Sequence, residues 1–304
     1  MRVPLSLLVF VFLVSCGGTP TKNKSKRSYD DLGDIDKYQK KPKVSKRYSR
    51  KTDRFPFGKD EEDVLISESL ARVSSKIAGK VAGDDDPISQ IIGNCYKKDY
   101  NDAFEVADKN YESYKKNPAY WNQVGTCFLL KNEQRKASIF YNKARSLNLR
   151  YTPAINNIGV IYLQRGKDQL ALRQFKKAIR LNPSAKTPKF NQANIYLRYG
   201  LHQKACSIFS ALNTSTPRDV DVVNALAVCN MLRRRYNSAI ARYKSMDRDF
   251  HERPYIGINY ALALKLSGEK GEAQDILDDI DISNLGVLKK YYRSVKNFIA
   301  RGRR

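Results

Sequence analysis

The chain is poor in the side chains that do chemistry. It holds two histidines, His202 and His251, one tryptophan and three methionines in 304 residues. Neither histidine has cysteines or carboxylates around it at the spacing of a metal site. His251 has only Glu252 beside it and Asp249 two residues before, and it reads as part of a connecting loop. A phosphate-cradling glycine loop and a Gly-x-Ser-x-Gly turn are both missing, which removes the common signatures of nucleotide use and serine hydrolysis. The residues therefore propose no catalytic centre, no metal and no cofactor. No apolar run reaches the roughly 20 residues that span a bilayer as a helix. Negative charge is scarce as well: 31 Asp and Glu face 56 Lys and Arg, a net charge of +25. Composition this basic points to an anionic partner such as nucleic acid, lipid or an acidic polymer.

What is present begins at the N-terminus. Arg2 precedes an apolar run over about residues 3–14, the length of the apolar core of a secretory signal. Leu13-Val14-Ser15-Cys16 then resembles a bacterial lipobox, in which a small residue precedes an obligatory cysteine. Only a cysteine sulfur can form the thioether to diacylglycerol. The resemblance implies a lipoprotein signal peptide over residues 1–15 and a mature chain starting at lipidated Cys16. An ordinary signal peptide with an incidental cysteine is the other reading. In the sorting rule for such lipoproteins, an Asp after the cysteine favours the inner membrane. Gly17 stands there, so the resemblance implies an outer-membrane anchor with the rest of the chain in the periplasm.

Residues 16–59 hold few aliphatic side chains and much Lys, Arg, Ser, Asp and Pro, as in KYQKKPKVSKRYSRKTDR. Such a stretch cannot bury enough apolar area to offset its ordering entropy, so it reads as a disordered basic tether. As a flexible coil it would span roughly 30–40 Å. It could touch anionic lipid or peptidoglycan, or act only as a spacer, and composition leaves these open. Behind an export signal, nucleic acid drops out as its partner. Residues 60–83 carry Ile66, Leu70, Val73, Ile77 and Val81 on one helical stripe. That helix either packs on the first of the repeats that follow, or binds a partner or dimerises. Asp86 and Pro87 then read as the cap and first residue of a new helix.

The remainder repeats every 34 residues. Ala103, Ala137, Ala171, Ala205, Ala239 and Ala273 stand in one phase. Four residues later come Ala107, Tyr141, Phe175, Phe209, Tyr243 and Leu277, and three later Asn110, Ala144, Ala178, Leu212, Met246 and Ile280. Offsets of zero, four and seven lie on one helix face. The preceding half of each unit repeats Val124-Gly125 and Ile158-Gly159, with Ala193, Ala227 and Ala261 taking the small position later. Gly166, Gly200 and Gly268, with Asn132, fall in one phase where a left-handed cap is wanted. Arg234 breaks that series, so its turn is expected to differ.

Together these rows resemble the tetratricopeptide pattern W-x2-L-G-x2-Y, A-x3-F-x2-A, P. The best copy is Ile155, Ile158, Gly159, Tyr162, Ala171, Phe175, Ala178 and Pro183, and Trp121 holds the tryptophan position. The resemblance implies an all-α fold. It is a right-handed superhelix of about six helix hairpins over residues 84–287, with a capping helix and basic tail over 288–304. Small Gly or Ala lets the two helices of a hairpin approach, and the aromatic fills the space between hairpins.

The same resemblance assigns the concave face to the first helices. Carried over position by position, the peptide-binding groove would be lined by Asn122, Thr126, Leu129, Asn156, Val160, Leu163, Phe190, Asn194, Leu197, Asn224, Val228, Met231, Tyr255 and Ile258. Asparagines recurring at 122, 156 and 224 could bond the backbone of an extended peptide. Arg198 and Lys265 are the nearest candidates for holding a terminal carboxylate. Cys206 and Cys229 fall on helices that pack together and could form a disulfide. Cys95 and Cys127 are less well placed, and four buried thiols is the favoured reading.

Lipoproteins of this form resemble the pilotins of type IV pili, which help an outer-membrane secretin insert and oligomerise. That resemblance implies a non-catalytic scaffold or assembly factor whose partner is an envelope protein. The long tether and the 60–83 segment depart from the pilotin pattern. The alternative is an adaptor for enzymes of cell-wall synthesis or hydrolysis.

Overall fold

The computed structural model describes residues 75–301, except 218, 281, 283 and 284. The signal sequence, Cys16, the tether and most of the 60–83 segment lie outside the described residues. Fourteen α-helices run through the described part, which has no strand. They are α1 (Ser75–Ala82), α2 (Pro87–Lys97), α3 (Tyr100–Tyr114), α4 (Pro118–Leu130), α5 (Gln134–Leu147), α6 (Thr152–Gln164) and α7 (Asp168–Leu181), then α8 (Lys186–Arg198), α9 (His202–Ser215), α10 (Val220–Leu232), α11 (Tyr236–Lys244), α12 (Pro254–Ser267), α13 (Lys270–Asp278) and α14 (Lys289–Ala300). From α2 to α13 they pair off as hairpins. Among the described residues no helix is long and apolar enough to cross a membrane. The chain divides into two compact units, one ending at Ala154 and the other starting at Ile155.

Local chemistry sets the helix starts. The Asp86 carboxylate accepts from the Ser89 amide at 2.9 Å, ahead of Pro87 at the first position of α2. Asn117 does the same for α4 through Ala119, and Asp219 for α10 through Asp221 and Val222. Each cap satisfies amides that the helix itself leaves unpaired.

The turns inside the hairpins are set by one left-handed residue. Gly166 and Gly200 sit at φ 71° and 73°, and Gly268 at 106°. Asn132 takes the same region at 65°. The turn at Arg234, expected to differ, is the same. Arg234 adopts φ 59°, and the amides of Arg234 and Arg235 bond Met231 and Asn230 as those of Gly200 and Leu201 bond Leu197 and Tyr196. The hairpin imposes the backbone and the side chain bears the strain. Arg234→Gly should therefore stabilise the protein by about 0.5–1 kcal/mol, the left-handed penalty less the extra freedom of glycine when unfolded. Urea unfolding would read this. A loss of stability would mean that the arginine side chain makes contacts that outweigh the strain.

In the unit that ends at Ala154, α1 lies against α2 so closely that a Cβ on Gly93 would collide with the backbone of Val81 and Ala82. Its core gathers Ile88, Ile91, Ile92, Tyr120 and Val124. Phe104, Phe128, Phe140 and Trp121 form a ring series beside it, with centroids 4.7, 5.1 and 5.7 Å apart in turn. Gly125 is small because a Cβ there would stand 2.9 Å from the Tyr141 ring.

The unit that begins at Ile155 is built on the same rule. A Cβ on Gly159 would lie 2.6 Å from the Phe175 ring. Across both units the six in-phase alanines are fully buried, as are Tyr141, Phe175, Phe209 and Tyr243. The last helix, α14, buries Tyr291, Tyr292, Val295 and Ile299 against α12 and α13. Its lysines Lys289, Lys290 and Lys296, with Arg293, remain exposed.

Candidate functional site

The first-helix residues expected to line an open groove are mostly core. In the unit ending at Ala154, Asn122, Thr126 and Leu129 are all buried. The Thr126 hydroxyl lies 3.1 Å from the Tyr141 hydroxyl and donates to the Asn122 carbonyl. In the other unit Asn156, Val160, Phe190, Asn194, Leu197, Asn224, Val228, Met231 and Ile258 are buried, and only Leu163 and Tyr255 are half-buried. Phe190 packs edge-on against Phe209 with centroids 5.3 Å apart. Val228, Met231 and Ile258 belong to the core that α14 closes.

The physical reason is in the helices themselves. α10 (VDVVNALAVCNML) and α12 (PYIGINYALALKLS) carry apolar residues all round, and a helix apolar on every side is buried on every side. The 34-residue period identifies equivalent positions. It does not say which of them remain open.

The asparagines act between hairpins. Asn191 donates to Asn156 at 3.0 Å, and Asn156 donates to Asn157 at 3.1 Å. One repeat pair further on, Asn259 donates to Asn224 at 3.1 Å, and the Tyr243 hydroxyl donates to the same oxygen at 3.0 Å. Tyr291 of α14 then donates to Asn259 at 2.8 Å. Burial raises the Tyr243 hydroxyl well above its ordinary pKa, so it stays a donor through the neutral range. Buried polar groups with satisfied partners fix one register among many that apolar packing alone would allow. The sequence reading missed the partners, although Asn157, Asn191 and Asn259 share a 34-residue phase that marks them.

The two carboxylate-binding candidates are also occupied. Arg198 holds Asp168 with both carboxylate oxygens at 2.6 Å, and the Tyr199 hydroxyl adds a bond to Asp168 at 3.1 Å. Lys265 donates to the carbonyls of Ile299 and Arg301 at the end of α14. Neither is left for a partner's terminal carboxylate. Tyr255 donates to Asp221 at 2.9 Å, and its pKa is raised first by burial and then by that carboxylate.

Both cysteine pairs are disulfides in the structure. Cys206 on α9 joins Cys229 on α10, with Cα atoms 5.8 Å apart. Cys95 on α2 joins Cys127 on α4 at 5.2 Å. The reading of four separate thiols is thus replaced, because packing brings each pair of helices within bonding reach.

His251 donates from Nε2 to the Tyr243 carbonyl, 2.8 Å away, and tilts over the Tyr260 ring. Among the described residues no three His, Cys, Asp or Glu side chains gather as metal ligands would.

No family model matches the sequence, and no curated protein does either. Solved structures do match. The APC/C hetero-tetramer Cut9–Hcn1 aligns with a TM-score of 0.60 at 14% identity, covering 78% of this chain and 49% of that one. This chain thus spans about half the length of that one. PilW, described as a widely conserved type IV pilus biogenesis factor, aligns at 0.54 and 15% identity over 69% of this chain and 96% of its own. A tetratricopeptide repeat protein from Parabacteroides merdae ATCC 43184 aligns at 0.51 and 14% identity, over 75% and 91%. At such identities the likeness establishes the fold: an all-helical tetratricopeptide repeat.

Proposed function

We propose that this protein is a non-catalytic scaffold that binds another envelope protein and assists its assembly, held at the outer membrane by acyl chains on Cys16. The observation that carries the reading is the extent of the likeness to PilW, 96% of whose length aligns with this chain. That protein is a type IV pilus biogenesis factor. The lipobox-like LVSC adds a compartment in which a pilus partner would be met. The partner in this reading is a secretin that must insert and oligomerise in the outer membrane. Docking then falls on exposed hairpin surfaces, since the first-helix asparagines are committed to the core.

The membrane anchor has a direct test. Wild-type chain should incorporate radiolabelled palmitate and fractionate with the outer membrane, and Cys16→Ser should do neither. A Cys16→Ser chain that still labels would overturn the lipid anchor.

The basic segment over residues 17–59 favours a second reading, an adaptor for cell-wall enzymes that touches peptidoglycan. Purified mature chain without acyl groups separates the two. Co-elution with solubilised secretin supports the first reading. Sedimentation with peptidoglycan that disappears on deleting residues 17–59 supports the second.

A further inference from the structure

One face of α7 is cationic from Arg173 to Arg180. Arg173, Lys176, Lys177 and Arg180 follow one another at spacings of three, one and three, so they share one side of the helix. Three are exposed and Lys177 is half-buried. None of the four has an ion pair among the described residues. The helix has one acidic residue, Asp168 at its start, and that carboxylate is held by Arg198 and Tyr199. Nothing on α7 itself offsets the charge.

These side chains do not simply project into solvent. With Gln174 and with Gln192 of α8 they wall a cleft of about 520 Å³. Gln192 donates to the Tyr196 hydroxyl at 3.1 Å. The side-chain oxygen of Gln174 is buried at the wall and has no hydrogen-bond partner among the described residues. A cleft between two helices with four cations that have no ion pair among the described residues calls for a ligand with several negative charges. A protein segment rich in Asp and Glu supplies these charges as carboxylates that can enter the cleft. A bilayer surface would present flat charge and would leave the cleft unfilled.

We propose that the cleft between α7 and α8 binds an acidic segment of a partner protein, through Arg173, Lys176, Lys177 and Arg180 with Gln174 at its wall. The face runs about 10 Å along the helix axis, enough for carboxylates from two successive turns of a helix or from alternate residues of an extended strand. The proposal stands apart from the reading of function above and does not depend on the lipid anchor or the secretin.

The test uses the full chain and fluorescein-labelled polyglutamate, read by anisotropy at low and high salt. Neutralising the face (Arg173→Gln, Lys176→Gln, Lys177→Gln, Arg180→Gln) should weaken binding roughly tenfold or more, as the sum of several screened ion pairs. Neutralising four basic residues of the tether (Lys22→Gln, Lys24→Gln, Lys26→Gln, Arg27→Gln) should weaken it less than about threefold. Thermal melts of the variants should match wild type, because the face cations have no ion pair among the described residues. Equal losses in the two neutralised variants would reduce the effect to overall charge and overturn the proposal. A face variant that keeps polyglutamate but loses phosphatidylglycerol vesicles would overturn it in favour of a lipid contact.

Discussion

Replacing Phe175 with alanine should destabilise the protein by about 4 kcal/mol, from lost transfer energy and the cavity left behind. The ring is fully buried in α7 and fills the space that glycine leaves open at Gly159 of α6. Collapse cannot refill that space cheaply, because the position opposite has no side chain to move in. Urea unfolding of Phe175→Ala, with the slope unchanged from wild type, would give the number. Phe175→Leu, which keeps most of the volume, should cost less than half as much. A loss below about 1 kcal/mol for the alanine variant would mean that the ring is not part of a rigid core.

Removing the Cys206–Cys229 link should cost about 3 kcal/mol, because a cross-link over 23 residues limits the unfolded chain. For a domain of this size, that lowers the melting temperature by roughly 6–12 °C. The double change Cys206→Ser, Cys229→Ser under oxidising conditions isolates this pair from Cys95–Cys127. Two fewer alkylatable groups than wild type should appear after denaturation and reduction. Wild type alkylated without reduction should take up label at neither residue. An unchanged melting temperature together with two reactive thiols in native wild type would show that the link does not form.

The second helices were legible because their signal is both periodic and physical. Alanines at a fixed interval, four of them followed by an aromatic on the same face, demand a repeated close approach, and all six alanines are fully buried. The glycines at 125 and 159 carry the same signal from the other side of the hairpin. The first helices were harder. Asn122, Asn156 and Asn224 mark a recurring polar position, and a polar residue at a recurring position fits two demands equally well: contact with a ligand, or satisfaction of a buried neighbour. The answer lay one residue further on, at Asn191 and Asn259, whose amides complete the pairs. The apolar surround of α10 and α12 was a second sign that their faces are covered.

Arg234 shows a different limit. A residue type predicts a turn only as a preference, and the hairpin geometry overrode it at a cost borne locally. For the cysteines, sequence spacing identified both pairs as neighbours in the repeat without deciding whether sulfur met sulfur. The basic cleft on α7 was invisible in composition, because a net charge of +25 hides where cations lack counter-charges.

The proposed scaffold role, in which this chain assembles another envelope protein and transforms nothing itself, stands or falls on secretin in cells lacking this protein. The quantity to measure is the fraction of secretin in heat-resistant multimers. The scaffold role predicts monomers in the deletion strain, multimers restored by wild type, and little restoration by Cys16→Ser. Normal multimer levels in the deletion strain would contradict it.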